Sequence, residues 1–254
     1  MKECTRGCFC IMLLLVGALV PKAHSQINLK ATSAAPAAPT EVVVLCTLHQ
    51  FHEEVPGYSY SDLKGAIEQL HPDLLAVELT PTDLANRKAQ KIKREYQNAV
   101  YPLLERHNWK AVAMEPVGEL SKKLIAAIRE AEGSFERDFP QKSETAELYS
   151  DTLFSYLRAR WHSLADVNSL WTDDSYAVKH AFQEKLYGPK EVEGWEGWNQ
   201  HFLDRIMEAA KANPGKRIVV TVGAEHGYWL RAHLRQEQGV QLLDTAKALE
   251  TGGN

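Results

Sequence analysis

Four side chains able to move protons or hold an ion fall at comparable places in the chain: His49, Glu78, Glu115 and His226. Each stands at or just beyond the end of a short β-branched and apolar run, 41–47, 73–79, 109–115 and 217–222. Imidazole changes charge near neutral pH. A carboxylate in an apolar strand costs several kcal/mol, on the order expected for a buried charge, unless something pairs with it. Two histidines and two glutamates placed this way therefore read as one acid–base or ion-holding site. Gly223-Ala-Glu-His226-Gly227 describes a tight turn presenting an imidazole, with Gly223 supplying the positive φ such a turn often needs. Cys46-Thr-Leu-His49 repeats the layout with cysteine where glycine stands in the other copy. His52, in a loop bearing Pro56 and Gly57, reads as solvated. His162, His180 and His201 fall on expected helices and read as surface or packing residues.

The elements that must position these groups alternate. The run at 41–47 reads as a strand buried on both faces, and those at 73–79, 109–115 and 217–222, with a closing one at 240–243, read as the further strands. A helix from Ser61 or Asp62 to about Leu70, stopped by Pro72, completes a strand–helix–strand unit with parallel strands. Thr80-Pro-Thr-Asp83 starts a second helix. It is expected to present Lys88, Lys91, Lys93 and Arg94 as a solvated basic face and to break near Pro102. Residues 119–213 carry apolar positions at three- and four-residue spacing, which predicts two or three helices broken near Pro140 and Pro189. A further helix is expected over 228–235. The fold class is α/β: a largely parallel, or mixed, central sheet with helices on both faces and a helical middle insertion. In such sheets ligands bind outside the carboxyl ends of the strands, where all four candidate residues lie.

The first 25 residues read as a signal peptide: Lys2 and Arg6, an apolar run from Cys8 to Val20, then Ala23-His24-Ser25. The run is shorter than the roughly 20 residues of a spanning helix, so cleavage is expected, giving a secreted or periplasmic protein with no stable membrane insertion. Residues 26–40, rich in Ala, Pro, Ser and Thr, read as a disordered leader, 41–244 as one domain, and 245–254 as a flexible tail. Losing Lys2, Arg6, Lys22 and Glu3 would leave 26 basic and 32 acidic residues, which argues against a nucleic-acid partner. Only Cys46 of the four cysteines would remain, so no internal disulfide is expected, and its apolar neighbours make an inert buried thiol the better reading than a nucleophile. No Gly-x-Ser-x-Gly elbow and no Gly-rich phosphate loop occurs. Trp161, Trp171, Trp195 and Trp198 read chiefly as helix–helix core.

The paired strand-end x-x-His elements, together with Pro72-Asp73 ahead of Val77-Glu78-Leu79 and the segment from Asn199 and Arg205 to Leu230, resemble the TraB/PrgY/GumN (Tiki-like) family, related to erythromycin-esterase and ChaN-like domains. The resemblance covers about 41–80 and 195–244. It implies a ChaN/erythromycin-esterase-like fold and makes His49, Glu78 and His226 the functional residues. It further implies a hydrolase acting on a peptide or small-molecule substrate. In one form these three residues hold Zn, Mn or Co, with Glu115 as a further ligand or general base. In the other, His49 activates water while Glu78 fixes its tautomer, and His226 orients substrate or stabilises the oxyanion. The alternative is a non-catalytic relative that binds a peptide, or haem through Tyr228 or His226. If the turn at Cys46 required positive φ, His49 would be displaced.

Overall fold

The computed structural model describes residues 38–252. The signal-peptide segment and the leader up to residue 37 lie outside the described residues. Five parallel strands form the sheet: β1 (Thr40–Thr47), β2 (Leu74–Val77), β3 (Lys110–Ala113), β4 (Arg217–Gly223) and β5 (Val240–Leu242), in the order β3-β2-β4-β1-β5. β1 and β4 lie side by side with Thr47 opposite Gly223, so both strands release their chain at the same level. From β1 the chain crosses β4 to reach β2. From β4 it crosses β1 to reach β5. Right-handed crossovers running in opposite directions put their helices on opposite faces. A crevice therefore opens between the carboxyl ends of β1 and β4, the switch point at which α/β sheets bind ligands.

The central strands are uniformly apolar because both faces are covered; Val42 to Cys46 and Val219, Val220 and Val222 are wholly buried. α1 (Tyr60–Gln69) starts at Ser59, whose side chain and that of Asp62 form a capping box, two residues before the expected start. α9 (Ala224–Leu234) begins directly after β4, so His226 stands in its first turn rather than in a separate turn ahead of a helix at 228. The described residues beyond 244 form a helix. α10 (Thr245–Gly252) is tied down by the Thr245 hydroxyl donating to the Val44 carbonyl (2.9 Å) and by buried Ala248.

Two helical expectations are corrected. α2 is only Pro81–Ala85, and the chain then runs irregularly to Glu95 before a π-helical turn at Tyr96–Val100 leads into α3 (Tyr101–His107). Pro102 sits at the start of α3, where its missing N–H costs nothing. The basic run is thus a loop, and Lys93 turns inward. The middle holds five helices: α4 (Gly118–Asp138), α5 (Pro140–Arg160), α6 (Leu164–Val167), α7 (Leu170–Tyr187) and α8 (Pro189–Ala212). The breaks at Pro140 and Pro189 stand as expected. The two additional breaks fall at Ser163 and Ser169, whose hydroxyls cap α6 and α7. Among the described residues no helix is long and apolar enough to cross a membrane.

Candidate active site

His49 is the first residue of a 3-10 turn (His49–Glu54) directly after β1. Its own φ is +55°, so the left-handed residue of this corner is the histidine and not Cys46. Non-glycine residues pay for that conformation and keep it where the surroundings impose it. Here the imposition is visible. The His49 carbonyl accepts from the Tyr60 hydroxyl (3.0 Å), and its ring Nδ1–H donates to Glu95 Oε1 (2.7 Å). Glu95 is wholly buried and also accepts from the Thr47 hydroxyl (3.0 Å). Nε2 is left facing the crevice, 4.0 Å from Glu78 Oε1. The tautomer is thus set by Glu95, not by Glu78 as the sequence suggested. Burial works against a charge on His49, but the carboxylates of Glu95 and Glu78 outweigh it and raise its pKa above the usual histidine value.

Glu78 follows β2 and is 4% exposed. Its Oε2 accepts from the Gly223 N–H (2.6 Å) and its Oε1 from the Lys93 ammonium (2.8 Å). Burial alone would raise its pKa; Lys93, His49 and His226 together hold it down at about 2. Lys93 also pairs with Glu115, beyond β3, and so clamps the ends of β2 and β3. These partners hold its ammonium well above the ordinary lysine range despite burial. Glu115 is therefore a clamp partner, and burial pushes its carboxyl up.

His226 is held differently. Its Nδ1–H donates to Asn199 Oδ1 (2.8 Å), and its ring lies against Trp195 (4.8 Å between centroids, 16° between planes). His180 also stacks on Trp195, at 3.8 Å between centroids. Burial lowers the His226 pKa to about 4, against a smaller pull from Glu78 and Glu225. It is neutral at pH 7, with a lone pair on Nε2.

Gly223 is explained by crowding rather than by a turn. Its φ is −53°, which any residue can adopt, but a Cβ there would sit 2.7 Å from His49 Nε2 and 3.5 Å from Glu78 Oε2. Cys46 is buried, its thiol pushed up to about 11 by burial, and it packs against Gly227 where α9 crosses β1. The glycine that makes room for Cys46 is thus on α9. Arg231 stands 3.3 Å from its sulfur and pairs with Asp173 (2.6 Å).

Between the two histidines lies a cleft of about 120 Å³, walled by Phe51, Phe154, Trp161 and Tyr176. His49, Glu78 and His226 are thus brought to one place; Glu115 reaches it only through Lys93. His52 is wholly buried, accepting from the Leu48 N–H (3.0 Å) and donating to the Tyr58 carbonyl (2.8 Å), so it braces the corner and is not solvated. His180 is also buried, beside Glu225. Trp161 and Trp195 are packed as expected, whereas Trp171 is 39% exposed. The Tyr228 hydroxyl accepts from Trp195 Nε1 (3.1 Å). Sequence reading missed Lys93 and Glu95. Glu95 carried a signal: with Ala99 and Leu103 it shares the buried face of the helix that follows.

The two imidazoles are prepared as metal ligands usually are, each with its outer N–H fixed. The carboxylate is not. Both Glu78 oxygens are taken, and a lysine ammonium stands on the one nearer His49. A cation placed there would displace or repel that ammonium, so the donor set His49, Glu78 and His226 does not fit a divalent metal. Among the described residues no three His, Cys, Asp or Glu side chains group to hold one. Comparison with protein-family models, with curated proteins and with solved structures finds no match.

Proposed function

We infer that this chain is a hydrolase in which His49 activates water without a metal. The observation that carries this reading is the pair formed by half-buried His49 and buried Glu95, 2.7 Å apart, which fixes the proton on Nδ1 and leaves a basic Nε2 for the cleft. His49 Nε2 takes a proton from water as that water's oxygen attacks a carbonyl carbon. The resulting imidazolium is balanced by Glu95 and Glu78, and it returns the proton to the leaving group. His226, neutral and unprotonated at Nε2, cannot donate to an oxyanion. It accepts from a substrate N–H or O–H and orients it. The first turn of α9 lines the same cleft without a side-chain cap, so its N–H groups suit the developing oxyanion. Lys93 keeps Glu78 ionised and in place. The resemblance of 41–80 and 195–244 to TraB/GumN-like hydrolases points the same way.

The test uses untagged protein against fluorogenic ester and peptide libraries, before and after chelation verified by metal analysis. His49→Ala is expected to lower kcat/KM by roughly 10²–10⁴, the range for loss of a general base, and chelation to change nothing. Activity lost on metal removal and restored by zinc or manganese would establish the metal-dependent form instead, which the two fixed imidazoles favour. No turnover of any substrate, or equal turnover by His49→Ala, would sink the hydrolase reading.

A further inference from the structure

A second surface, away from the cleft, has the chemistry of a peptide-docking site. β3 is an edge strand, paired with β2 on one side only. The Met114 N–H donates inward to the Val77 carbonyl (2.9 Å), whereas the Ala113 carbonyl accepts from Arg205 Nε (3.4 Å) on the other side. Alternation along a strand then turns the backbone N–H and C=O of Ala111 and the N–H of Ala113 to the outer edge. That edge is the floor of a groove of about 470 Å³ between α2 and α8.

The groove walls are selective. Leu84, Ala85 and Val112 give an apolar lining, and the small side chains of Ala111 and Ala113 let another backbone approach. The two charged groups lining it are both guanidiniums, Arg87 and Arg205, and no carboxylate does. Arg87 is braced over the Tyr101 ring, 5.3 Å from its centroid, and Arg205 pairs with Glu208 on its own helix. Edges left open in this way are usually blocked by lysine, proline or a covering element. β3 carries one exposed lysine, Lys110, at its start and Arg205 reaches the Ala113 carbonyl, but over Ala111 and Val112 a groove with two positive charges stands in place of a cover.

We propose that the β3 edge, flanked by Arg87 and Arg205, binds an extended acidic peptide segment of a partner as a sixth parallel or antiparallel strand. Backbone bonds to Ala111 and Ala113 would set its register, and alternate acidic side chains would meet the two guanidiniums. This surface is independent of the His49 chemistry and stands or falls apart from it.

The probes are two fluorescein-labelled octapeptides, (Glu-Val)4 and (Lys-Val)4, titrated against the full chain by fluorescence anisotropy. The glutamate probe should bind at least tenfold tighter, weakening as salt rises. Ala111→Pro removes an outward N–H, which an edge strand tolerates, and should abolish binding while the far-UV circular dichroism spectrum is retained. Arg87→Glu/Arg205→Glu should invert the preference toward the lysine probe, and it keeps the proposal testable if Ala111→Pro does not fold. Equal affinity for both probes, no binding of either, or binding that a folded Ala111→Pro retains would each overturn it.

Discussion

The two histidines of the cleft occupy matching places, each just past one of two adjacent parallel strands, yet their surroundings shift their pKa values in opposite directions. The His49 side is ionic: against burial and the opposing charge of Lys93, the two carboxylates close to the ring raise its pKa. The His226 side is aromatic and amide-lined: Trp195, Phe202 and Asn199 surround it, and burial lowers its pKa to about 4. Position in the fold brings the groups together; what fills the space behind each ring assigns the role. A base and a neutral acceptor made from the same residue type are a common way of dividing proton work within one site.

Removing the support of each side should have unequal costs. Lys93→Met leaves Glu78 and Glu115 facing each other with no cation between them, and a broken buried pair costs about 3 kcal/mol or more. Asn199→Ala takes one neutral hydrogen bond from His226 and should cost about 1 kcal/mol. Urea denaturation of both variants measures the contrast. Equal losses would mean that Lys93 is solvent-compensated and that the ionic side is no more tightly built than the other. Lys93→Met/Glu78→Leu should recover part of the loss, because the unpaired carboxylate disappears with its partner.

The same asymmetry should appear as a pH dependence of stability. His226 has a folded pKa near 4, below the unfolded value of about 6.5, so the unfolded chain binds its proton first as pH falls. Its contribution is therefore lost between about pH 6.5 and 4, by up to about 3 kcal/mol. His49 behaves oppositely. Its raised folded pKa stabilises the protein fully below about 6.5, and that contribution fades as pH rises through the folded value. Unfolding free energies across this range should flatten below pH 6.5 in His226→Gln and above it in His49→Gln. A slope unchanged by His226→Gln would show that this ring is not buried as a neutral base.

Much of this arrangement is legible in the sequence. The apolar runs marked the strands most clearly in β1, β2 and β4, which are buried on both faces, and the polar residues at their ends stood out against that background; β3 and β5, at the sheet edges, are only partly buried. Lys93 was misread because a helix start at Thr80 says nothing about where the helix stops. α2 ends at Ala85, and the basic run that looked like a solvated face is a loop crossing the ends of β2 and β3. Glu95 was passed over because neighbouring charges obscured its place on a buried face. Three-dimensional pairing decides both cases, and spacing along the chain does not encode it.

Gly223 offers the finest test of how closely the two sides are fitted. The sequence pattern suggested a glycine kept for a positive φ, whereas the backbone there is ordinary and the constraint is the 2.7 Å from a would-be Cβ to His49 Nε2. Gly223→Ala should fold, at a cost of about 1–2 kcal/mol for overpacking. His49 is pinned at Nδ1 by Glu95, so it can yield only by tilting Nε2 away from the cleft. On the proposed mechanism, hydrolysis should then fall at least tenfold, mostly in kcat. The pKa on the acid limb of the rate profile should drop as Nε2 moves away from Glu78 while Nδ1 stays on Glu95. Were the glycine needed for backbone conformation instead, Gly223→Ala would lose stability without moving that limb, and Gly223→Asn, which tolerates positive φ, would rescue it.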